Sequence, residues 1–278
     1  MRVGLGQIDI AWENKGANLL KCEDFLKRAK DNSIELLVFP EMTLTGFSMN
    51  IENIAEGPPK QSPSVKWFSE KAIEYNINIA FGYTEKCGEK GLNNLVIISN
   101  KGEVLSKYSK LHPFSYGEES NYYIAGDSFT LTKLKDFVVG STICYDLRFP
   151  ELYQVLSKKA ELILVIANWP EKRNNAWITQ LKSRAMENQC YIVGVNKVGF
   201  FGSNYYSGDS MIISPLGEVL KSLSHSEDLV YEDINIEEVT TLRENFALKK
   251  DRRNNLYIKG LTSDIAIINE GEVSHDVS

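Results

Sequence analysis

Val138-Val139-Gly140-Ser141-Thr142-Ile143-Cys144-Tyr145-Asp146-Leu147-Arg148-Phe149-Pro150-Glu151 is the stretch on which the reading of this chain turns. Val138 to Ile143 supply a β-branched, apolar run of buried-strand type. Pro150 followed by Glu151 suits the first turn of a helix. A missing N–H costs nothing there, and a carboxylate complements the positive end of the helix dipole. Cys144 therefore falls at a strand–helix junction, close to free backbone N–H groups. Such a place lowers a thiol's pKa and offers donors to an oxyanion. A lone cysteine is also a common small buried hydrophobe, so the rest of the chain has to decide between the two.

Outward from that stretch the chain alternates strands and helices. Val3 to Ile10 and Glu35 to Phe39 read as strands. Between them, Asn14 to Lys30 reads as an amphipathic helix with apolar positions at Ala17, Leu20, Phe25 and Ala29. Lys60 to Tyr75 is a second helix, followed by a strand from Ile77 to Tyr83. A hairpin turns at Asn100-Lys101-Gly102, and Phe129 to Leu134 is a strand before the central stretch. Beyond it come a helix to Lys159, a strand from Leu162 to Ile166 and a helix from Lys172 to Asn188. A strand from Tyr191 to Asn196, a hairpin at Ser214-Pro215-Leu216-Gly217, a strand from Val230 to Ile234 and a short helix from Glu237 to Glu244 complete the pattern. Nothing resembling a linker divides it, so the class is α/β in one domain over residues 1–268. Residues 269–278 are polar and read as a frayed tail.

Composition removes several classes of function. The formal net charge is −6, which disfavours a nucleic-acid partner, since phosphate binding needs a basic face. No run approaches the ~20 apolar residues of a membrane span. The start, Met1 to Ile8, looks like a strand rather than a signal peptide, which places the protein in the cytoplasm. The cysteines at 22, 87, 144 and 190 lack metal-ligand spacing and read as reduced thiols. Neither a metal nor a cofactor is expected.

A nucleophilic Cys144 needs a base and a source of positive charge. His112 is one candidate for the base. Glu41 is another, because Phe39-Pro40-Glu41 ends a buried strand as Cys144 does, and sites gather beyond the carboxyl ends of strands. Lys110 follows the strand-like Val104 to Tyr108. Asn168-Trp169 ends a third buried strand.

Taken together, Phe39-Pro40-Glu41, Tyr108-Ser109-Lys110-Leu111-His112 and Cys144-Tyr145-Asp146-Leu147-Arg148-Phe149-Pro150-Glu151 resemble the nitrilase (carbon–nitrogen hydrolase) superfamily, from Gln7 to about Leu256. The resemblance implies a four-layer αββα sandwich, dimerisation through the helices on the cysteine side, and a Glu41–Lys110–Cys144 triad. It also implies a second glutamate after Lys110. Counting back from Ala125-Gly126 gives Glu119, with Glu118 as the alternative. In the implied chemistry Cys144 attacks an amide carbon while Glu41 takes its proton. Lys110 and the backbone N–H of Tyr145 hold the oxyanion, ammonia leaves, and water cleaves the thioester. Lys110 supplies the charge that a metal would otherwise bring.

Within the superfamily, Thr45-Gly46-Phe47-Ser48-Met49, Ala167-Asn168-Trp169-Pro170, Arg184-Ala185-Met186-Glu187-Asn188-Gln189 and Tyr206-Ser207-Gly208-Asp209-Ser210 look most like the ω-amidase branch, which hydrolyses 2-oxoglutaramate. Pro113 departs from it, since many relatives carry a larger apolar residue there. The expected substrate is a small, carboxylate-bearing amide. Arg148 is the first choice to hold the far carboxylate, a planar guanidinium suiting bidentate contact; the alternative is that it pairs with Asp146 or Glu151. Phe47, Asn168 and Trp169 are candidates for the pocket wall, and Arg173 and Arg184 read as helix-surface or interface charges. Competing readings are another amidase of the superfamily, an N-carbamoyl hydrolase, or a non-catalytic binding protein of this fold.

Overall fold

A computed structural model describes residues 1–264 of the chain. The expected polar tail, residues 269–278, lies outside the described residues. The chain divides into two compact units, the first Met1–Thr240 and the second beginning at Thr241.

In the first unit the strands are β1 (Arg2–Gln7), β2 (Leu36–Val38), β3 (Asn78–Cys87), β4 (Lys90–Ile98), β5 (Val104–Ser109), β6 (Leu131–Leu134), β7 (Phe137–Ile143), β8 (Leu162–Ala167), β9 (Tyr191–Asn196), β10 (Val198–Phe201), β11 (Asn204–Ile213), β12 (Val219–Ser224) and β13 (Asp228–Asp233). They build two sheets. One runs β13-β1-β2-β3-β4-β5, the other β10-β11-β9-β8-β7-β6 with β12 paired to β11. The segments after β2, β7 and β8 follow strands in parallel pairs: β1 with β2 and β2 with β3 in the first sheet, β7 with β8 and β8 with β9 in the second, whereas β5 pairs antiparallel with β4.

The strands between helices are buried on both faces and so read as near-continuous apolar runs. In β8, Leu162, Leu164 and Ile166 point between the sheets, where they meet Val3, Leu5, Leu36 and Val38. Ile163, Val165 and Ala167 point the other way, toward the helices α3 (Pro150–Leu156) and α4 (Asn174–Asn188) through Leu152, Leu156, Trp177 and Leu181. The outer face of the first sheet, with Leu37, Ile79, Phe81 and Val96, packs on α1 (Lys15–Asp31) and α2 (Pro63–Tyr75) through Cys22, Phe25, Val65 and Phe68. Helix, sheet, sheet, helix is the αββα order expected from the resemblance.

Local chemistry sets the helix starts. The Asn14 side chain accepts from Ala17 N at 3.0 Å and Ser62 from Val65 N at 3.1 Å, each filling a donor that the first turn leaves open. One expectation fails inside α1. Leu20 is 72% exposed, and the buried stripe instead runs through Asn18, Cys22, Phe25, Leu26 and Ala29. Asn18 earns its buried place by hydrogen bonds to Ala11 and Leu44 carbonyls. The strand expected from Phe129 begins at Leu131, leaving Phe129 exposed, and β11 begins at Asn204 because β10 pairs with it.

The second unit holds the end of the helix Ile236–Asn245, a 3-10 turn at Leu248–Asp251 and the helix Asn254–Thr262. Among the described residues, no helix is long and apolar enough to cross a membrane.

Candidate active site

Three strand ends converge. After β2 the chain turns through Pro40 into Glu41, which is fully buried. After β7 it enters a 3-10 turn, Cys144–Arg148, with Cys144 at φ +49°, a left-handed conformation that a non-glycine residue adopts only when its surroundings hold it there. After β8 it reaches Asn168. Lys110 follows β5, and both its backbone groups are engaged: its N–H donates to Asn93 O and its carbonyl accepts from Gly126 N, each at 2.8 Å.

The Lys110 ammonium lies between two carboxylates. Its Nζ donates to Glu41 Oε1 at 2.9 Å and to Glu119 Oε2 at 2.8 Å, and all three side chains are almost wholly buried. Of the two glutamates considered after Lys110, the structure brings in Glu119 and leaves Glu118 exposed at the left-handed cap before it. Glu119 also accepts from Phe114 N at 2.5 Å. The second oxygen of Glu41 accepts from Asn168 N at 2.9 Å, and Asn168 Nδ2 donates to Glu41 O at 2.6 Å. Base candidate and third strand end are thus locked together.

Burial alone would lower the Lys110 pKa, but the charges of Glu119 and Glu41 outweigh it and hold the ammonium well above the ordinary lysine range. Burial pushes the Glu119 carboxyl up; Lys110 opposes this and Glu41 adds to it. The lowered thiol pKa expected at this junction is not found: burial, then the charge of Glu41, push the Cys144 thiol well above its ordinary value against the pull of Lys110. At neutral pH Cys144 therefore rests as a thiol, and an attack by its sulfur would require that proton to leave.

His112 is not placed to take that proton. Its Nδ1 is 2.8 Å from Asp146 Oδ1 and its ring stacks on Phe149 with centroids 3.7 Å apart. It does not line the cavity at Cys144.

That cavity has a volume of about 220 Å³. Cys144, Tyr145, Phe47, Asn168, Trp169 and Tyr206 contribute to its wall, so Phe47 and Trp169 serve as wall even though Trp169 is also packed in the core. The Tyr145 N–H lies in the first turn of the 3-10 helix, where donors lack intrahelical acceptors. Three cations line the same space, Arg148, Lys172 and Arg173, and no carboxylate does. Arg148 lies over Trp169 at 4.9 Å and Arg173 over Phe114 at 5.1 Å. Among the described residues no ion pair joins Arg148 to Asp146 or Glu151, and Asp146 is taken up by Tyr108, Ile143 and His112. Arg173 is thus a pocket residue rather than a surface charge. Arg184 is also misread from sequence. It is buried, and its Nε and Nη2 donate to Leu147 O at 3.2 and 2.8 Å, tying α4 to the cysteine turn.

Sequence reasoning missed two asparagines. Asn93 in β4 donates through Nδ2 to Glu41 Oε1 at 2.7 Å and to Glu119 Oε1 at 2.9 Å. Asn196 at the end of β9 accepts from Trp169 N at 2.7 Å and donates to Trp169 O and Gly208 O. A signal existed for each. Asn is disfavoured in strands, and Asn93-Asn94 interrupts one while Asn196 closes another.

Comparison with known proteins identifies the family. The family model for carbon-nitrogen hydrolases matches residues 2–244, starting and ending earlier than the span read from sequence. The 2-oxoglutaramate amidase of Bacillus subtilis (strain 168) is 30% identical over 254 residues, covering 90% of this chain and 97% of that protein. Omega-amidase YafV of Escherichia coli (strain K12) is 30% identical over 253 residues, 90% of this chain and 96% of its own. Among solved structures, XC1258 from Xanthomonas campestris, a CN-hydrolase superfamily protein with an arsenic adduct in its active site, superposes with a TM-score of 0.85 at 27% identity, covering 97% of this chain and 99% of the other.

Proposed function

Since the chain belongs to the carbon–nitrogen hydrolase family and is an amidase by that membership, we propose that it cleaves the terminal amide of small dicarboxylic-acid monoamides such as 2-oxoglutaramate. One observation carries the substrate class. In an acidic protein, the cavity at Cys144 is lined by Arg148, Lys172 and Arg173 and by no carboxylate. Such a lining favours an anion by charge and by the bidentate geometry of guanidinium. The volume lies below the ~300 Å³ at which drug-sized sites begin, which suits a small acid.

The residues then act as follows. Glu41 takes the Cys144 proton as sulfur attacks the amide carbon, and the C=O π pair moves onto oxygen. Lys110 Nζ and the Tyr145 N–H hold that oxyanion. Its collapse expels the amide nitrogen, which takes the proton from Glu41 and leaves as ammonia. Glu41 next draws a proton from water, whose oxygen attacks the thioester. The carboxylic acid departs and the thiol recovers the proton. Glu119 and Asn93 keep Lys110 and Glu41 in register, and Asn168 holds the Glu41 backbone and carboxylate. Phe47 and Trp169 wall the acyl chain.

The proposal includes a cytoplasmic location, which the four free thiols support, since such a compartment keeps them reduced. It also includes a homodimer through the cysteine-side helices, a reading supported by the apolar surface that Met186 of α4 and the nearby Leu216 leave exposed. The test is ammonia release from 2-oxoglutaramate, succinamate, a neutral aliphatic amide and a nitrile, with Cys144→Ala as the blank. Activity confined to the two carboxylate-bearing amides and lost in the variant is expected. Turnover of only the neutral amide or the nitrile would overturn the substrate class while keeping the cysteine chemistry. Silence on all four would overturn both.

A further inference from the structure

Asp146 is fully buried, two residues after the nucleophile, and the chemistry above does not use it. An isolated buried carboxylate is expensive, and it persists where donors satisfy it. This one has four. Oδ2 accepts from Tyr108 OH at 2.7 Å and from Ile143 N at 2.9 Å. Oδ1 accepts from His112 N at 3.0 Å and lies 2.8 Å from His112 Nδ1. Tyr108 and His112 stand two residues before and two residues after Lys110, and Ile143 immediately precedes Cys144. Tyr108 OH also accepts from Leu111 N at 3.2 Å, which closes the loop around the lysine. The two segments belong to different sheets, and the carboxylate bonds both.

We infer that Asp146 is a positioning residue that fixes the Lys110 ammonium in register with the Cys144 sulfur, and so governs oxyanion stabilisation rather than substrate affinity. His112 continues the same link outward. Its ring stacks on Phe149, Phe149 meets Tyr145 edge-on at 5.3 Å, and Tyr145 meets Phe114 at 4.9 Å, so the pocket wall is braced by the same carboxylate. The inference rests on reading Cys144 as nucleophile and Lys110 as oxyanion donor.

Asp146→Asn keeps the volume but turns an N–H₂ toward groups that are themselves donors. Tyr108→Phe removes one donor and leaves no new buried charge. The expected result for Asp146→Asn is a fall in kcat of about 100-fold with KM within about threefold, since an ångström of misplacement carries a loss of that order. Tyr108→Phe falls in the same direction by less. Alkylation of Cys144 by iodoacetamide, followed against pH, separates positioning from mere loosening. Moving Lys110 away removes the charge that lowers the thiol pKa, so alkylation of the variants shifts to higher pH and slows. A protein that only opens would expose an ordinary thiol, and alkylation would speed up and shift to lower pH. Unchanged kcat, a loss carried by KM, or faster alkylation overturns the inference; if Asp146→Asn does not fold, Tyr108→Phe decides by the same criteria. An active Cys144→Ala would instead overturn the nucleophile on which the inference rests.

Discussion

Gly82→Ala tests whether the base is placed by backbone packing. Gly82 lies in β3, directly under the turn that carries Glu41. A Cβ there would stand 2.4 Å from Met42 N, 2.9 Å from Glu41 Cα and 3.0 Å from Glu41 C, where ordinary contact begins at 3.4 Å. About 1 Å has to be found, and the obstacles are backbone atoms, which no rotamer change can move aside. The turn is also sewn to this glycine: Thr43 N donates to Gly82 O at 2.9 Å, and Gly82 N donates to Thr43 Oγ1 at 3.0 Å. The carboxylate therefore retreats with its backbone. Adding that ångström to the 2.9 Å between Lys110 Nζ and Glu41 Oε1 takes the pair out of hydrogen-bond range. The expected loss in kcat/KM is about 100-fold, roughly 2.7 kcal/mol of transition-state stabilisation. Overpacking costs a further ~1–3 kcal/mol of stability. Ammonia release measured beside a thermal melt distinguishes the two effects. Gly4→Ala is the control, because the three atoms nearest its Cβ belong to the side chains of Ile34 and Leu37, which can adjust; it should lose stability and keep its activity. A folded Gly82→Ala with kcat/KM within threefold of wild type would refute the reasoning.

Three further outcomes are expected. Arg148→Met should raise KM for a carboxylate-bearing amide by about 10- to 100-fold, the worth of a charge-assisted hydrogen bond, and leave a neutral amide unaffected; equal effects on both substrates would remove Arg148 from carboxylate binding. His112→Ala should keep activity within about tenfold, because the His112 backbone N–H still donates to Asp146; a dead variant would reinstate histidine as the base. Lys197 is 3% exposed, its Nζ lies 4.5 Å from the Tyr206 ring centroid, and burial lowers its pKa to about 8. The unfolded chain then binds more protons than the folded one between pH ~8 and ~10.5, so the penalty of the buried charge is full below that window and fades as pH rises through it. Lys197→Met should stabilise the protein by up to about 3 kcal/mol at pH 7 and by progressively less toward pH 10; a gain independent of pH in melting scans would show that the charge is not its source.

Much of the site was legible because its residues sit where one local rule puts them. Glu41, Cys144 and Asn168 each follow a short apolar run, and a run of that kind announces both the strand and its end. The four-layer order came from the likeness of three motifs to a family, and the burial of β2 and β8 on both faces bears it out. What failed was the finer periodicity. Leu20 counted as buried on pattern alone, whereas Asn18 takes the interior position because the carbonyls of Ala11 and Leu44 happen to face it. Arg173 and Arg184 looked alike as helix charges, yet one lines the cavity and the other caps the Leu147 carbonyl.

The sequence by itself marked most of the strands and helices, since apolar runs, caps and prolines act over a few residues, and the likeness of three motifs to a family singled out Glu41, Lys110 and Cys144 where local pattern alone left His112 beside Glu41 as the base. Only the tertiary structure decided how those side chains meet. Asn93 reaches Glu41 across 52 positions, Lys110 across 69 and Asn168 across 127. Contacts of that span depend on which sheets face one another and in what register, and no local pattern records it. The same holds for the charge of the pocket: an acidic chain gives no sign that three of its cations and none of its carboxylates will line one cavity.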